Sequence, residues 1–240
     1  MKVFFLLLTV SLTTAIFKRP NLNSGKYEID YPRYTKKWTT RSSTVRNTTT
    51  TTHVPKCPEG FTLYHRTPTA LNNHTSAWCM KMVTGRRFYD LEAGLGLCAD
   101  LGAVPTIYEN GEERRQVNTE LANILKGYGL TEGSVAVGAR RKPECETTNS
   151  NVLSSPPCND PSTSFYTLDG HSDPTFLWTT WADLEPTNDP FGDGFESCIG
   201  FASSLDRFNL LLNDMPCHNI EDPIGIRSWT FGALCGVVPS

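Results

Sequence analysis

Long hydrophobic runs are almost missing from this chain of 240 residues. After the first dozen positions no apolar stretch approaches the roughly 20 residues that cross a bilayer, so no membrane span is expected. Catalytic signatures are missing as well. There is no Gly-x-Ser-x-Gly elbow and no His-Glu-x-x-His zinc motif, and the five histidines (His53, His65, His74, His171 and His218) are scattered. His218 beside Cys217 reads as a surface histidine, and the chain reads as a binding protein, not an enzyme. Net charge is small too. The formal total is −3, which gives no footprint for nucleic-acid binding.

The leader MKVFFLLLTVSLTTA has Lys2, an apolar run from Val3 to Leu12, and Thr13 and Ala15 where a signal peptidase reads small residues. Residues 1–15 are therefore expected to be a signal peptide, and the mature protein to be secreted into an oxidising space.

The small total charge conceals two opposed segments. Residues 16–56 hold nine basic and two acidic side chains, whereas 57–240 hold 12 basic and 23 acidic ones. The first segment, with its TKKWTTRSSTVRNTTTTTH tract, has too little apolar surface to offset the entropy of ordering and reads as a disordered stalk. Its Ser/Thr density suits O-glycosylation. Asn47-Thr48-Thr49 and Asn73-His74-Thr75 are N-glycosylation sequons.

All eight cysteines lie at or after position 57 (Cys57, Cys79, Cys98, Cys145, Cys158, Cys198, Cys217 and Cys235). An even count in a secreted chain points to disulfides, though sequence alone leaves 105 pairings open. A helix is predicted from Asp90, with Leu91, Leu95, Cys98 and Leu101 at helical spacing and Gly102 as its stop. A second is predicted from Asn110, with Glu113 completing a capping box, Val117, Leu121 and Ile124 on its buried stripe, and Gly127 at its end. Val135 to Ala139 reads as a strand, followed by Arg140-Arg141-Lys142 as a solvated loop start. From Lys142 to Gly194 the chain is a long polar loop with no sustained periodicity, in which Cys145 and Cys158 could be stapled together and Phe176, Trp178 and Trp181 could anchor the rest. Trp178-Thr179-Thr180-Trp181 also has the spacing of a C-mannosylation site, but reads as two aromatic anchors. Strands return at Ser197–Ala202, around Leu210–Leu212 and at Leu234–Val238.

Five oxygen-bearing side chains, Glu185, Asn188, Glu196, Asn213 and Asp214, flank Cys198 and Cys217. Calcium takes six to eight oxygen ligands, so three acids and two amides nearly complete a shell, with water or ligand hydroxyls supplying the rest. Glu185-Pro186 is a plausible cis peptide.

Cys57-Pro58-Glu59-Gly60-Phe61 with Trp78-Cys79, Val135 to Ala139, Glu196-Ser197-Cys198, and Leu212-Asn213-Asp214 with Cys217 form an ordered set. That set, over 57–240, resembles the C-type lectin-like domain family, with the long-form amino-terminal hairpin and an extra long-loop disulfide of invertebrate type. The resemblance implies an α+β fold of two helices and small antiparallel sheets around a long loop region. It also implies the pairings Cys57–Cys79, Cys98–Cys235 and Cys198–Cys217, leaving Cys145 with Cys158.

In sugar-binding members the Glu-Pro-Asn and Asn-Asp motifs hold calcium while the same side chains bond vicinal sugar hydroxyls. By that resemblance Glu185, Asn188, Glu196, Asn213 and Asp214 bind Ca2+. Glu185, Asn188, Glu196 and Asn213 would then bind carbohydrate, with mannose-type preference. Two residues depart from the family pattern. Thr187 interrupts the first motif and displaces Asn188 by about 3.4 Å along an extended chain, which leaves Thr187 and Asp189 as alternative donors. Leu212 stands where a tryptophan usually precedes Asn-Asp. The other function that the resemblance allows is calcium-independent binding of a protein partner.

Overall fold

A computed structural model describes residues 54–130, 133–191, 194–203, 211–218 and 230–240. The expected signal peptide, the expected stalk up to residue 53 with Asn47, and Leu210 lie outside the described residues. No described helix is long and apolar enough to cross a membrane.

In chain order the strands are β1 (Thr62–His65), β2 (Ala77–Tyr89), β3 (Val104–Pro105), β4 (Gly133–Arg141), β5 (Phe165–Thr167), β6 (Pro190–Phe191), β7 (Gly194–Phe195), β8 (Cys198–Ser203), β9 (Leu211–Met215) and β10 (Thr230–Val237). The helices are α1 (Leu91–Gly96), α2 (Gly111–Gly127) and two single turns in the long loop, α3 (Ser150–Leu153) and α4 (Pro161–Ser164). One sheet runs in the order β1-β2-β10-β4-β8-β9, with β3 added to β10 and β5 to β4. Its pairings are antiparallel except for β10 beside β4. The two ends of the domain meet, since Lys56 and Ser240 exchange backbone hydrogen bonds of 3.1 and 3.0 Å.

Strand β4 explains why its sequence reads as a nearly unbroken apolar run: both faces of the sheet are covered. Val135, Val137 and Ala139 join one core cluster with Val117, Leu121 and Leu125 of α2, whereas Ala136 joins a second with Leu91 and Leu95 of α1. Gly138 is required by close approach, because a Cβ there would lie 2.4 Å from the Pro105 carbonyl.

The helix predictions hold with two corrections. Asp90 caps α1 by accepting from the Ala93 N–H, and the helix stops at Gly96 before a 3-10 turn at Ala99–Leu101 and a left-handed Gly102 at φ 64°. Leu101 is 44% exposed and so leaves the predicted stripe. Asn110 caps α2 through the Glu112 and Glu113 amides, but Glu113 does not close the expected capping box. Its carboxylate is buried, takes the Glu109 N–H at 2.7 Å, and pairs with Arg66 at 2.8 and 2.9 Å. The α2 stripe is completed by Leu125, fully buried, with Ile124 only partly so.

The Arg66 guanidinium is enclosed. It also bonds the Ile107 carbonyl at 3.2 Å and the Ser172 hydroxyl at 2.7 Å, and lies 5.7 Å from the Trp78 ring centroid. Strand β1, the start of α2 and the long loop thus share one buried charge.

All four expected disulfides are present: Cys57–Cys79, Cys98–Cys235, Cys145–Cys158 and Cys198–Cys217. Cys98 and Cys235 are 137 residues apart, so in the chain-entropy account their bridge contributes about 5 kcal/mol. Phe176, Trp178 and Trp181 pack against the main cluster, as expected of anchors.

Removing one partner of a buried ion pair strands the other charge and typically costs about 3–5 kcal/mol. Glu113→Ala is therefore expected to lower the unfolding free energy by about that amount in a denaturant titration, while Glu112→Ala on the exposed face of the same turn changes it little. Equal effects would contradict the role assigned to the Arg66–Glu113 pair.

Candidate functional site

The long loop is seated on the sheet edge before it reaches the polar cluster. The Leu212 N–H donates to the Thr180 carbonyl and the Ala182 N–H to the Leu212 carbonyl, each at 2.9 Å, so Trp181 bridges alongside β9. Leu212, where the family usually has tryptophan, is fully buried in the main cluster. Beyond Ala182 the chain turns through Leu184 at φ 71°, the cis Glu185–Pro186 bond, and Asn188 at φ 57°.

Asp214 organises this turn. Its side chain is fully buried. One carboxylate oxygen accepts from the Thr187 N–H at 3.1 Å, and the other accepts from the Asn188 N–H at 2.9 Å and from Arg141 Nη2 at 2.5 Å. Arg141 Nε reaches the Glu196 carbonyl at 3.2 Å, and the guanidinium stacks 4.4 Å from the Phe165 ring centroid. Arg141 is 4% exposed, which corrects the reading of Arg140-Arg141-Lys142 as a solvated cluster. The signal was in the strand's own period of two: Val135, Val137, Ala139 and Arg141 share one parity. Arg140, on the other parity, pairs with Glu92.

Three of the five residues expected to act together, Asn188, Glu196 and Asp214, share one hydrogen-bonded turn. Glu196 accepts from the Thr187 hydroxyl at 2.8 Å and the Asp189 N–H at 3.0 Å. Asn188 is buried; its Nδ2 donates to the Thr147 carbonyl at 2.9 Å, and its Oδ1 has no hydrogen-bond partner. Glu185, at the start of the turn, is half-buried with its N–H on the Ala182 carbonyl. Asn213 is not brought to the cluster. It pairs with Gly200 across the strands, on the face where Met215 packs against Gly200 and Leu91, while alternation sends Asp214 to the opposite face. Of the alternative donors, Thr187 and Asp189 do join, but as donors to Asp214 and Glu196.

The fit of a calcium ion follows from this inventory. An ion on Asp214 would need carboxylate oxygens that already serve two amides and a guanidinium. It would also sit within a few ångströms of the Arg141 cation. At an effective dielectric of 20, like unit charges 4 Å apart repel by about 4 kcal/mol, and calcium carries two. The residues present do not fit calcium at Asp214. The orphaned Asn188 Oδ1 remains as an acceptor in want of a donor, a state that costs about 1–3 kcal/mol when buried.

The Glu196 carboxyl is pushed up to about 7, chiefly by burial and further by the negative charges of Asp214 and Asp189, against the pull of the Thr187 and Asp189 hydrogen bonds.

A family model described as C-type lectin domain-containing protein 141/158 matches residues 63–238. The Caenorhabditis elegans C-type lectin domain-containing protein 158 is 34% identical over 188 residues, covering 77% of this chain and 89% of that protein. The Caenorhabditis elegans C-type lectin domain-containing protein 141 is 33% identical over 207 residues, covering 78% of this chain and 67% of that protein. The chain belongs to the C-type lectin domain family. Among solved structures it is similar to a calcium-independent type II antifreeze protein, at 13% identity and a TM-score of 0.46, over 79% of this chain and 99% of that one. Domains of this family bind carbohydrate or protein.

Because the Glu196 carboxyl in the folded state lies above its ordinary 4.5, its contribution to stability is complete below about pH 4.5 and is lost as pH rises through about 7. Glu196→Gln, neutral throughout, is expected to flatten the fall of the melting midpoint between those pH values. Parallel profiles for the two proteins would contradict the shift.

Proposed function

We propose that the protein is a secreted glycan-recognition module whose polar loop cluster is neutralised by its own Arg141, with no calcium at that point. In this reading the leader at 1–15 directs secretion, the 16–56 stalk spaces the domain from its surroundings, and 57–240 does the binding. Asn73, exposed in the turn after β1, and Asn47 in the stalk carry N-glycans.

The Arg141–Asp214 pair is the observation that carries the reading. It supplies the positive charge that this loop needs, inside the protein, and holds the 185–189 turn through two backbone amides. A recognition surface ordered before the ligand arrives loses less entropy on binding. The mannose-type preference expected from Glu185 and Asn188 rested on a shared metal shell; with Arg141 in that role, no hydroxyl stereochemistry is assigned.

One observation favours a second reading, binding of a protein partner. Leu184 is 83% exposed at a left-handed φ, an apolar side chain held at the loop tip in a strained conformation of the kind that clusters at ligand-binding sites.

The test is a glycan array probed with the full secreted chain in EDTA and again in millimolar calcium. The expected outcome is a common set of bound glycans with equal signals in both conditions. Binding that occurs only in calcium contradicts the metal-free reading, and no binding in either condition favours the protein partner.

A further inference from the structure

An open cavity of about 330 Å³ lies where the two ends of the domain meet. The turn after β1 lines it with Asn73, His74 and Ser76, the chain after β10 lines it with Val238 and Pro239, and His171 of the long loop completes the wall. It shares no lining residue with the polar cluster around Asp214.

Its walls are fixed. Buried Asn72 holds the turn: its Oδ1 accepts from the Thr69 N–H at 2.8 Å, and its Nδ2 donates to the Thr67 carbonyl and to Glu109, each at 2.9 Å. Asn73 and His74 follow at φ 51° and 57°, in the left-handed region that persists only where the surroundings impose it and that concentrates at functional sites. His171 is stacked on buried Trp78 with ring centroids 5.0 Å apart, and its Nδ1 lies 3.2 Å from the Thr75 hydroxyl. The opposite wall is tied by the Lys56–Ser240 hydrogen bonds and by the pairing of Val237 with Cys79.

Four features define the occupant. None of the lining residues is an Asp, Glu, Lys or Arg, so the cavity suits a neutral group. Val238, 56% exposed, and Pro239 offer apolar surface beside the Ser76 hydroxyl and the two imidazole rings, which matches a sugar ring with an apolar face, hydroxyls and an acetamido methyl. Sites that enclose drug-sized ligands begin at roughly 300 Å³, so about 330 Å³ takes one or two rings. Asn73 itself, exposed and the first residue of the Asn73-His74-Thr75 sequon, stands in the wall. A glycan on that side chain is delivered to the cavity at the high effective concentration of a tethered ligand, so weak contacts suffice to seat it.

We propose that this cavity seats the protein's own Asn73 N-glycan, with the first N-acetylglucosamine ring lying against Val238 and Pro239 and closing over the junction of the domain's two ends. The proposal rests on the reading of Asn73 as glycosylated and adds that the innermost sugar is a packed part of the folded domain.

The experiment uses the full secreted chain from a glycosylating host, with Asn47→Gln so that Asn73 is the remaining sequon. Peptide mapping reads the occupancy of Asn73, and an endoglycosidase then trims the glycan to its first ring. Nuclear Overhauser contacts are expected between the acetamido methyl of that ring and the Val238 methyls. Removing the ring with a glycan amidase is expected to lower the melting midpoint by about 2–4 °C. In Val238→Trp, whose side chain fills the cavity from its rim, the same removal is expected to shift the midpoint by less than half as much. If Asn73 is occupied and either the contacts are missing or the two shifts are equal, the seating is overturned and the glycosylation reading stands. If Asn73 is unoccupied, the glycosylation reading fails and the seating with it.

Discussion

One buried ion pair connects the sheet to the loop that sets this domain's surface. Arg141 ends the central strand, Asp214 lies on an edge strand, and their contact at 2.5 Å with side-chain exposures of 3% and 0% joins the two across β8. The carboxylate then holds the Thr187 and Asn188 amides, and the guanidinium holds the Glu196 carbonyl. A charge enclosed this way is stable only while its partner and its hydrogen bonds are all present. The turn through Leu184, Pro186 and Asn188 therefore takes its shape from a contact made within the chain.

The same principle recurs further back along the loop. Arg66 is buried against Glu113, with Glu109 at 3.4 Å, and its bonds to the His171 carbonyl and the Ser172 hydroxyl connect the start of α2 to the loop. Between these two enclosed cations the chain from 142 to 191 has little regular structure but many fixed points: a disulfide, two capped single-turn helices, β5 on β4, and stacked Trp178 and Trp181 with ring centroids 6.2 Å apart. A polar segment of that length can be ordered because hydrogen bonds, ion pairs and aromatic anchors replace the continuous apolar face that it lacks.

What the sequence made legible was whatever follows from period and punctuation. Asp90, Asn110, Gly102 and Gly127 mark helix ends by local chemistry, and Val135 to Ala139 marks a strand by its apolar run. The disulfide pairing came through the family resemblance, since spacing left it open. The long-range ion pairs were illegible for a physical reason: Arg66 and Glu113 are 47 positions apart and Arg141 and Asp214 are 73 apart, and nothing local distinguishes a buried arginine from a solvated one. Arg141 is a partial exception, because its parity with Val135, Val137 and Ala139 pointed inward. Asn213 shows the converse, since adjacency to Asp214 in sequence means opposite faces in a strand.

The central claim is that Arg141 does the work expected of a metal ion, and the melting midpoint of the full chain in EDTA against millimolar calcium tests it most directly. A native-state ligand at a hundred times its dissociation constant stabilises by about 2.7 kcal/mol, or roughly 5–10 °C for a domain of this size. The account predicts the same midpoint in both solutions; a calcium-dependent rise of that order would contradict it.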